Sequence, residues 1–217
     1  MSPDATHRRQ LKRFDQPGHA RFLTFSCFQC RPFLRSDRAC QWLADAIVRA
    51  RTIHVFHLWA YVFMPQHAHL LIFPNPDKPH MGPILDSIKV SVARRAVNWA
   101  RANAPDKLRL MADNDTKGRV TYRFWQRGAG YDRNLWSPEK VWLAIDYIHL
   151  NPVEKGLCAQ PDQWHWSSAP AYERTSAGPI PIDVEHLPPR PALLRCAKPC
   201  HPVDMSQFPR VPWLRAA

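Results

Sequence analysis

The 217-residue chain carries 30 Lys and Arg against 18 Asp and Glu, a formal charge of +12 before its 11 His are counted, which points to an acidic partner. Its 45% hydrophobic content, with 9 Trp, 10 Phe and 5 Tyr, excludes a disordered basic tail and fits one folded domain with an appendage. The polar, basic N-terminus lacks the apolar stretch of a secretory leader, and no apolar run approaches the ~20 residues that cross a bilayer, so a cytoplasmic protein is expected and a membrane partner is not.

Residues 1–17, with Lys12 and Arg13, read as a basic lead-in. The aromatic and aliphatic run 20–28 reads as a strand, and Leu43, Ala46, Ile47 and Ala50 give a helix after Asp37. Runs 54–64 and 67–74, separated only by Pro65 and Gln66, predict an antiparallel hairpin. From 83 to 102, Leu85, Ile88, Val92, Ala96 and Ala100 recur at helical spacing, with Lys89, Arg94, Arg95 and Arg101 decorating the helix. Run 119–126 reads as a further strand. Ser137-Pro138-Glu139 opens a last helix, striped by Val141, Ile145 and Ile148 and ended by Pro152.

Ten of the 22 prolines lie from Pro170 onward and break any sustained pattern there. The expected division is therefore a lead-in at 1–17, one domain at 18–172 and a proline-rich tail at 173–217. The simplest fold is α+β: about four antiparallel strands with helices packed on one face and the other face open to a strand of nucleic acid.

His67-Ala68-His69 is the sharpest chemical feature. On a strand, residues two apart share a face, so the imidazoles stand together while Ala68, Leu70 and Ile72 face the core. Paired imidazoles suit a divalent metal. The six cysteines read as mostly reduced thiols, although Cys27 with Cys30, and Cys196 and Cys200 with His201, have spacings a zinc site can use.

The stretch YVFMPQHAHLLI (61–72) resembles the histidine, hydrophobic, histidine motif of the single-tyrosine (HUH) transposases, and most closely their REP-associated tyrosine transposase branch. FWQRGAGYDRNL (124–135), YIHLNPVEKGL (147–157) and WHWSSAPAY (164–172) resemble that branch's later segments in the same order. The resemblance implies a ferredoxin-like palm and a nucleoid-associated enzyme that cuts and rejoins single-stranded DNA near imperfect hairpins. It implies Mg2+ or Mn2+ as cofactor, no nucleotide cofactor, and a monomer rather than a homodimer.

Carried onto this chain, the resemblance makes His67 and His69 metal ligands and Tyr131 the nucleophile that becomes joined to the 5′ side of the cut. Gly128 and Gly130 favour a turn before Tyr131, whose phenol, with an ordinary pKa of about 10, needs positive charge from Arg127 or Arg133 to ionise. Leu135 stands four residues after Tyr131, where relatives carry a polar ligand. Asn134 serves instead if the segment is helical, with Asp132 and Gln126 as alternatives.

Lys89, Arg94, Arg95, Arg127 and Arg133 are the chosen phosphate contacts, with Lys12, Arg13, Arg21, Arg119 and Arg123 as further cations. Trp125, Trp164 and Trp166 read as packing residues, with stacking on unpaired bases as the alternative. The alternatives are a non-catalytic DNA-hairpin-binding protein descended from such an enzyme, favoured by Leu135, and a basic RNA-binding module.

Overall fold

A computed structural model of the chain describes residues 15–114 and 116–192. Strand β1 (Ala20–Ser26) leads through two single 3-10 turns into α1 (Asp37–His54). The hairpin β2 (His57–Met64) and β3 (His67–Phe73) follows, then α2 (Met81–Asn103), the short α3 (Pro105–Leu110) and a separate ribbon of β4 (Ala112–Asn114) with β5 (Val120–Tyr122). After these come β6 (Tyr131–Leu135), α4 (Pro138–Glu154) and α5 (Ala169–Tyr172).

The main sheet is antiparallel in the order β2-β3-β1-β6, so the expected α+β class with a four-stranded antiparallel sheet holds. No helix among the described residues is long and apolar enough to cross a membrane. The helices divide between the two faces, which corrects the expectation of one open face. Helices α1 and α2 pack on Leu23, Phe25, Leu58, Phe63, Ala68, Leu70 and Ile72. Helix α4 lays Val141, Ala144, Ile145 and Ile148 over Ala20, Phe22, Ala60, Val62, Leu71 and Leu135 on the other side. The physical reason lies in β2, which is apolar on both faces from Leu58 to Met64 and therefore needs cover on both.

Two further boundaries differ. The run 119–126 gives only the three-residue β5, because Phe124 and Trp125 turn into the core and Trp125 makes a single bridge to Cys27. The fourth strand of the main sheet is instead Tyr131–Leu135. Pro152 does not end α4, which runs to Glu154; Pro152 lies in its last turn, where its carbonyl accepts the Leu157 N–H.

The proline-rich segment does not begin as a loose appendage at 173. Residues 166–183 line the outer edge of β2, where the Phe63, Ser168 and Asp183 amides donate to the carbonyls of Trp166, Tyr61 and Leu58. The Asp183 carboxylate accepts the Leu58 N–H at 2.8 Å, and buried Ile180 donates its N–H to the Tyr61 hydroxyl at 3.0 Å. An edge strand so covered offers no free ladder to another chain. The remainder of the tail and most of the lead-in, with Lys12, Arg13, Cys196, Cys200 and His201, lie outside the described residues.

Arg21 is 1% exposed and holds Asp132 of β6 through two bonds of 2.8 and 2.6 Å, with a third to Asp15 at 3.1 Å. It is therefore a fastener between β1 and β6, not a phosphate contact. Removing one partner of a buried pair strands the other charge, so Asp132→Ala should cost about 3–5 kcal/mol. Urea denaturation measures it; a loss under about 1 kcal/mol would show the pair to be dispensable.

His149 of α4 lies 2.8 Å from Ser168 Oγ and is pushed down to about 3 by burial and then by the Arg190 charge. Protonation thus favours the unfolded chain, whose imidazole titrates at about 6.5. The stability tied to the neutral ring is complete above that pH and is lost as pH falls toward 3. His149→Gln should flatten the stability slope between pH 6 and 4 by up to about 1.4 kcal/mol per pH unit, read from denaturation across that range.

Candidate active site

The β1 register brings the expected residues together. Thr24 pairs with His69 of β3 on one side and with Tyr131 of β6 on the other, so three neighbouring strands place these side chains in a row on the α4 face. His69 and Tyr131, two strands apart, have backbones roughly 10 Å from each other. His67 stands two residues before His69 on the same face, and Ala68, Leu70 and Ile72 face the α1 and α2 core as expected.

The two imidazoles meet, His67 Nε2 lying 3.1 Å from His69 Nε2. His69 Nδ1 is 2.8 Å from Thr24 Oγ1. If Nδ1 carries the proton toward Thr24, His69 Nε2 keeps its lone pair, and both His67 Nε2–H and the Asn151 amide, 3.5 Å away, point donors at it. Phe22 stacks on the His69 ring at 5.5 Å, and Tyr147 meets its edge at 5.3 Å. Both histidines are 1% exposed. Burial, aided by the Lys155 charge, lowers His67 to about 4; burial and then His67 lower His69 well below the ordinary imidazole range. At neutral pH both rings are therefore uncharged, the form that ligates metal.

The site bears one mark of an expected occupant. His67 Nδ1 and Asn151 Oδ1 are buried with no hydrogen-bond partner among the described residues. An orphaned amide oxygen beside two neutral imidazoles is a donor set that fits a divalent metal whose remaining positions are filled by water or phosphate oxygen. No group of three or more His, Cys, Asp or Glu able to hold a metal occurs among the described residues. Cys27 and Cys40 are buried thiols pushed up by desolvation, Cys40 to about 12, so the zinc reading of Cys27 and Cys30 gains nothing.

Tyr131 is the first residue of β6 rather than part of a turn. Gly130 makes this possible: its φ is +83°, and a Cβ there would lie 2.2 Å from the Thr24 carbonyl oxygen, so only glycine lets β6 meet β1 at this point. Lys89 Nζ donates to the Gly128 carbonyl at 2.6 Å and the Trp125 indole to the Lys89 carbonyl at 3.1 Å, tying the loop before Tyr131 to α2. The Tyr131 phenol is half-buried, which raises its pKa; the adjacent Arg133 opposes that shift.

Asn134 is not brought to the histidines. Its segment is a strand, so Asn134 and Asp132 pair opposite Arg21 and Leu23 and face the α1 and α2 side. Gln126 is exposed and accepts the Gln29 N–H. Among the cations, Arg133 shares the face of Tyr131, while Arg127, with Arg123, is bound to Asp113. Arg94 and Arg95 sit on α2, away from the histidine face, with Arg95 paired to Asp45 at 2.8 Å. The indoles of Trp125, Trp164 and Trp166 donate to Lys89, Phe63 and Asp37, so these are packing residues.

Sequence reading missed Thr24, Tyr147, Asn151 and Lys155. The one available signal was the NP of YIHLNPV, with Tyr147 and Asn151 four apart on one helix face.

No protein-family model and no curated protein matches this chain. Among solved structures its fold is similar to that of a REP-associated tyrosine transposase bound to a REP hairpin, with a TM-score of 0.55 and 20% identity over 72% of this chain and 80% of that one. That likeness establishes the fold.

Gly130→Ala should cost about 1–3 kcal/mol, from the left-handed backbone and the clash with Thr24, and should shift the cross-strand contacts of Tyr131. Thermal denaturation with amide exchange on β6 reads both; an unchanged Tm with full β6 protection would refute the close-approach role.

Proposed function

We propose that the chain is a metal-dependent single-stranded DNA endonuclease and strand transferase that acts near hairpins through a 5′-phosphotyrosine on Tyr131. The observation that carries this reading is the Thr24 register, which sets a half-exposed tyrosine beside a pair of neutral imidazoles. The fold shared with a hairpin-bound tyrosine transposase supports the choice of substrate.

His67, His69 and Asn151 would hold Mg2+ or Mn2+, which when bound polarises the scissile phosphate and offsets charge on its oxygens. Thr24 fixes the His69 ring so that Nε2 faces the site. Arg133 favours the phenolate of Tyr131. Tyr131 Oη, its proton lost to solvent, bonds to phosphorus as the bond to the 3′-oxygen breaks. That oxygen takes up a proton and departs as a 3′-hydroxyl, leaving the 5′ end on the tyrosine. A later 3′-hydroxyl reverses the step and joins strands without a nucleotide cofactor. All these side chains come from one chain, so a monomer suffices. Arg133 and Lys155, which act electrostatically on Tyr131 and His67, would meet the phosphates there.

A second reading, a hairpin-binding protein that does not cut, is favoured by one observation: both imidazoles are only 1% exposed. One assay separates the two. End-labelled single-stranded hairpin DNA with Mn2+ should give a covalent adduct that survives denaturation, lost in Tyr131→Phe and in His67→Ala and kept in Tyr147→Phe. An adduct that persists in Tyr131→Phe and vanishes in Tyr147→Phe would move the nucleophile to α4. Tight hairpin binding with no adduct at all would establish the second reading.

A further inference from the structure

On the sheet face opposite the histidines, the segment after β1, the helices α1, α2 and α3 and Phe124 line an open-sided cavity of about 400 Å3, within the ~300–1,000 Å3 range of small-ligand sites. Its walls are aromatic. Trp42 of α1 and Trp99 of α2 meet edge to face at 6.3 Å, and Phe33 packs on Phe124 at 5.3 Å. Its rim is cationic: Arg31, Arg35, Arg38 and Lys107 line it, and none of them pairs with a carboxylate among the described residues. The Arg38 guanidinium lies 4.4 Å over the Trp99 ring and Lys107 Nζ 5.6 Å from it. Of the acids next to the rim cations in the chain, Asp37 accepts the Trp166 indole N–H and Asp106 pairs with Arg109, while Asp45 of α1 pairs with Arg95.

Aromatic walls with an unneutralised basic rim match a flat π-system carrying negative charge at its edge. A nucleobase with its phosphate has that form: the base stacks on an indole, or on the outer face of a guanidinium already stacked on one, while the rim meets the phosphate. A base inside a duplex cannot present its faces, so the occupant has to be unpaired.

The cavity also lies at the chemically relevant end of the sheet. Its wall, residues 31–39, is held to the β2–β3 turn by the Cys27 N–H on the Gln66 carbonyl at 2.8 Å and the Leu34 N–H on the Pro65 carbonyl at 2.9 Å. His67 is the next residue after Gln66. Just before Arg31, Gln29 and Cys30 both adopt left-handed backbone, with φ of 52° and 54°. A polar residue tolerates this conformation at a cost, and two in succession mark a loop shaped by something other than local preference.

We infer that this cavity binds one unpaired nucleotide of the same DNA whose cleavage is proposed above, holding the strand as it passes around the end of the sheet from the α1 and α2 face to Tyr131. The inference rests on the DNA-binding reading. It adds a second anchoring point that selects DNA with a single-stranded segment next to the hairpin over a blunt hairpin.

The test is binding of the full chain, by fluorescence anisotropy, to three labelled hairpins: one with a short single-stranded extension, one with the same extension made abasic, and one blunt. The intact extension should bind roughly 5- to 100-fold more tightly than the abasic one, the worth of one stacked base. Trp42→Ala should erase that gain. So should the exposed triple variant Arg35→Ser, Arg38→Ser, Lys107→Ser, whose positions do not bear on the core, and both should leave blunt-hairpin affinity within about twofold. Photocrosslinking from 5-iodouracil in the extension should map to Trp42 or Trp99. Equal binding of intact and abasic extensions, or a gain that survives both variants, would overturn the inference while the Tyr131 adduct still stood. Free dAMP that binds at micromolar concentration without displacement by the extended hairpin would assign the cavity to a free nucleotide and overturn it too. Failure of the wild-type chain to bind any hairpin would overturn the DNA reading itself.

Discussion

The candidate site depends on the position of β1 between β3 and β6 and on its register at Thr24. Side chains alternate along a strand, so a slip of one residue between β1 and β6 would turn Tyr131 to the opposite face and bring Asp132 and Asn134 up in its place. Several independent contacts hold the register. Arg21 grips Asp132 with two bonds, Gly130 permits a backbone approach that no other residue allows, and Leu135 is buried with Ala20 beneath α4. The arrangement converts a hydrogen-bonding pattern into a chemical one: tyrosine, threonine and histidine abreast on three strands.

The cover supplied by α4 gives that row its character. A face with Phe22, His69 and Tyr147 in mutual ring contact excludes water, and exclusion of water keeps the imidazoles neutral. The same exclusion makes unpartnered polar atoms costly, about 1–3 kcal/mol each, and His67 Nδ1 and Asn151 Oδ1 are two such atoms within one cluster. A protein carries such a cost where a ligand would relieve it, and the double-sided core of β2 and β3 offsets it. The imidazole pair, the amide and the threonine thus form one unit whose chemistry is set by burial as much as by residue type.

Much of this was legible in the sequence where the signal is local. His67-Ala68-His69 inside an apolar run fixes a strand with one polar face, and the two residues between β2 and β3 leave only an antiparallel hairpin. What failed was non-local. The segment YDRNL has polar side chains on both faces, so period-2 alternation is invisible; helical spacing then suggested Asn134, when the strand turns it away. The choice of face for α4 cannot be read from α4, whose stripe is apolar whichever side it meets. It follows from β2, whose unbroken apolar run announces burial on both faces. Asn151 sits one residue before a proline and reads as a helix end, because its partner His69 is 82 positions away in the chain. Residues 173–192 show no periodicity since they are held by isolated anchors, Ile180 and Asp183 on β2 and Pro188 and Arg190 on α4.

The charge of +12 gains a distribution from the structure. Arg21, Arg51, Arg95, Arg123, Arg127 and Arg190 are engaged with carboxylates, so part of the cationic count is structural and exerts little pull on a phosphate backbone. Two further groups lie beside the candidate site and the cavity. Arg133 and Lys155 bear electrostatically on Tyr131 and His67 on one face, and Arg31, Arg35, Arg38 and Lys107 ring an aromatic cavity on the other. The cavity and Lys155, which acts on His67, lie at the end of the sheet where Ser26 of β1 pairs with His67 of β3, while Arg133 stands opposite Phe22 in the middle of β1. Phosphate attraction alone does not favour an unpaired strand, since a duplex carries the denser phosphate charge. A recess that accepts only an exposed base face does. Coupling such a recess to a tyrosine around a single sheet end would let the molecule hold DNA by charge and choose it by the absence of base pairing.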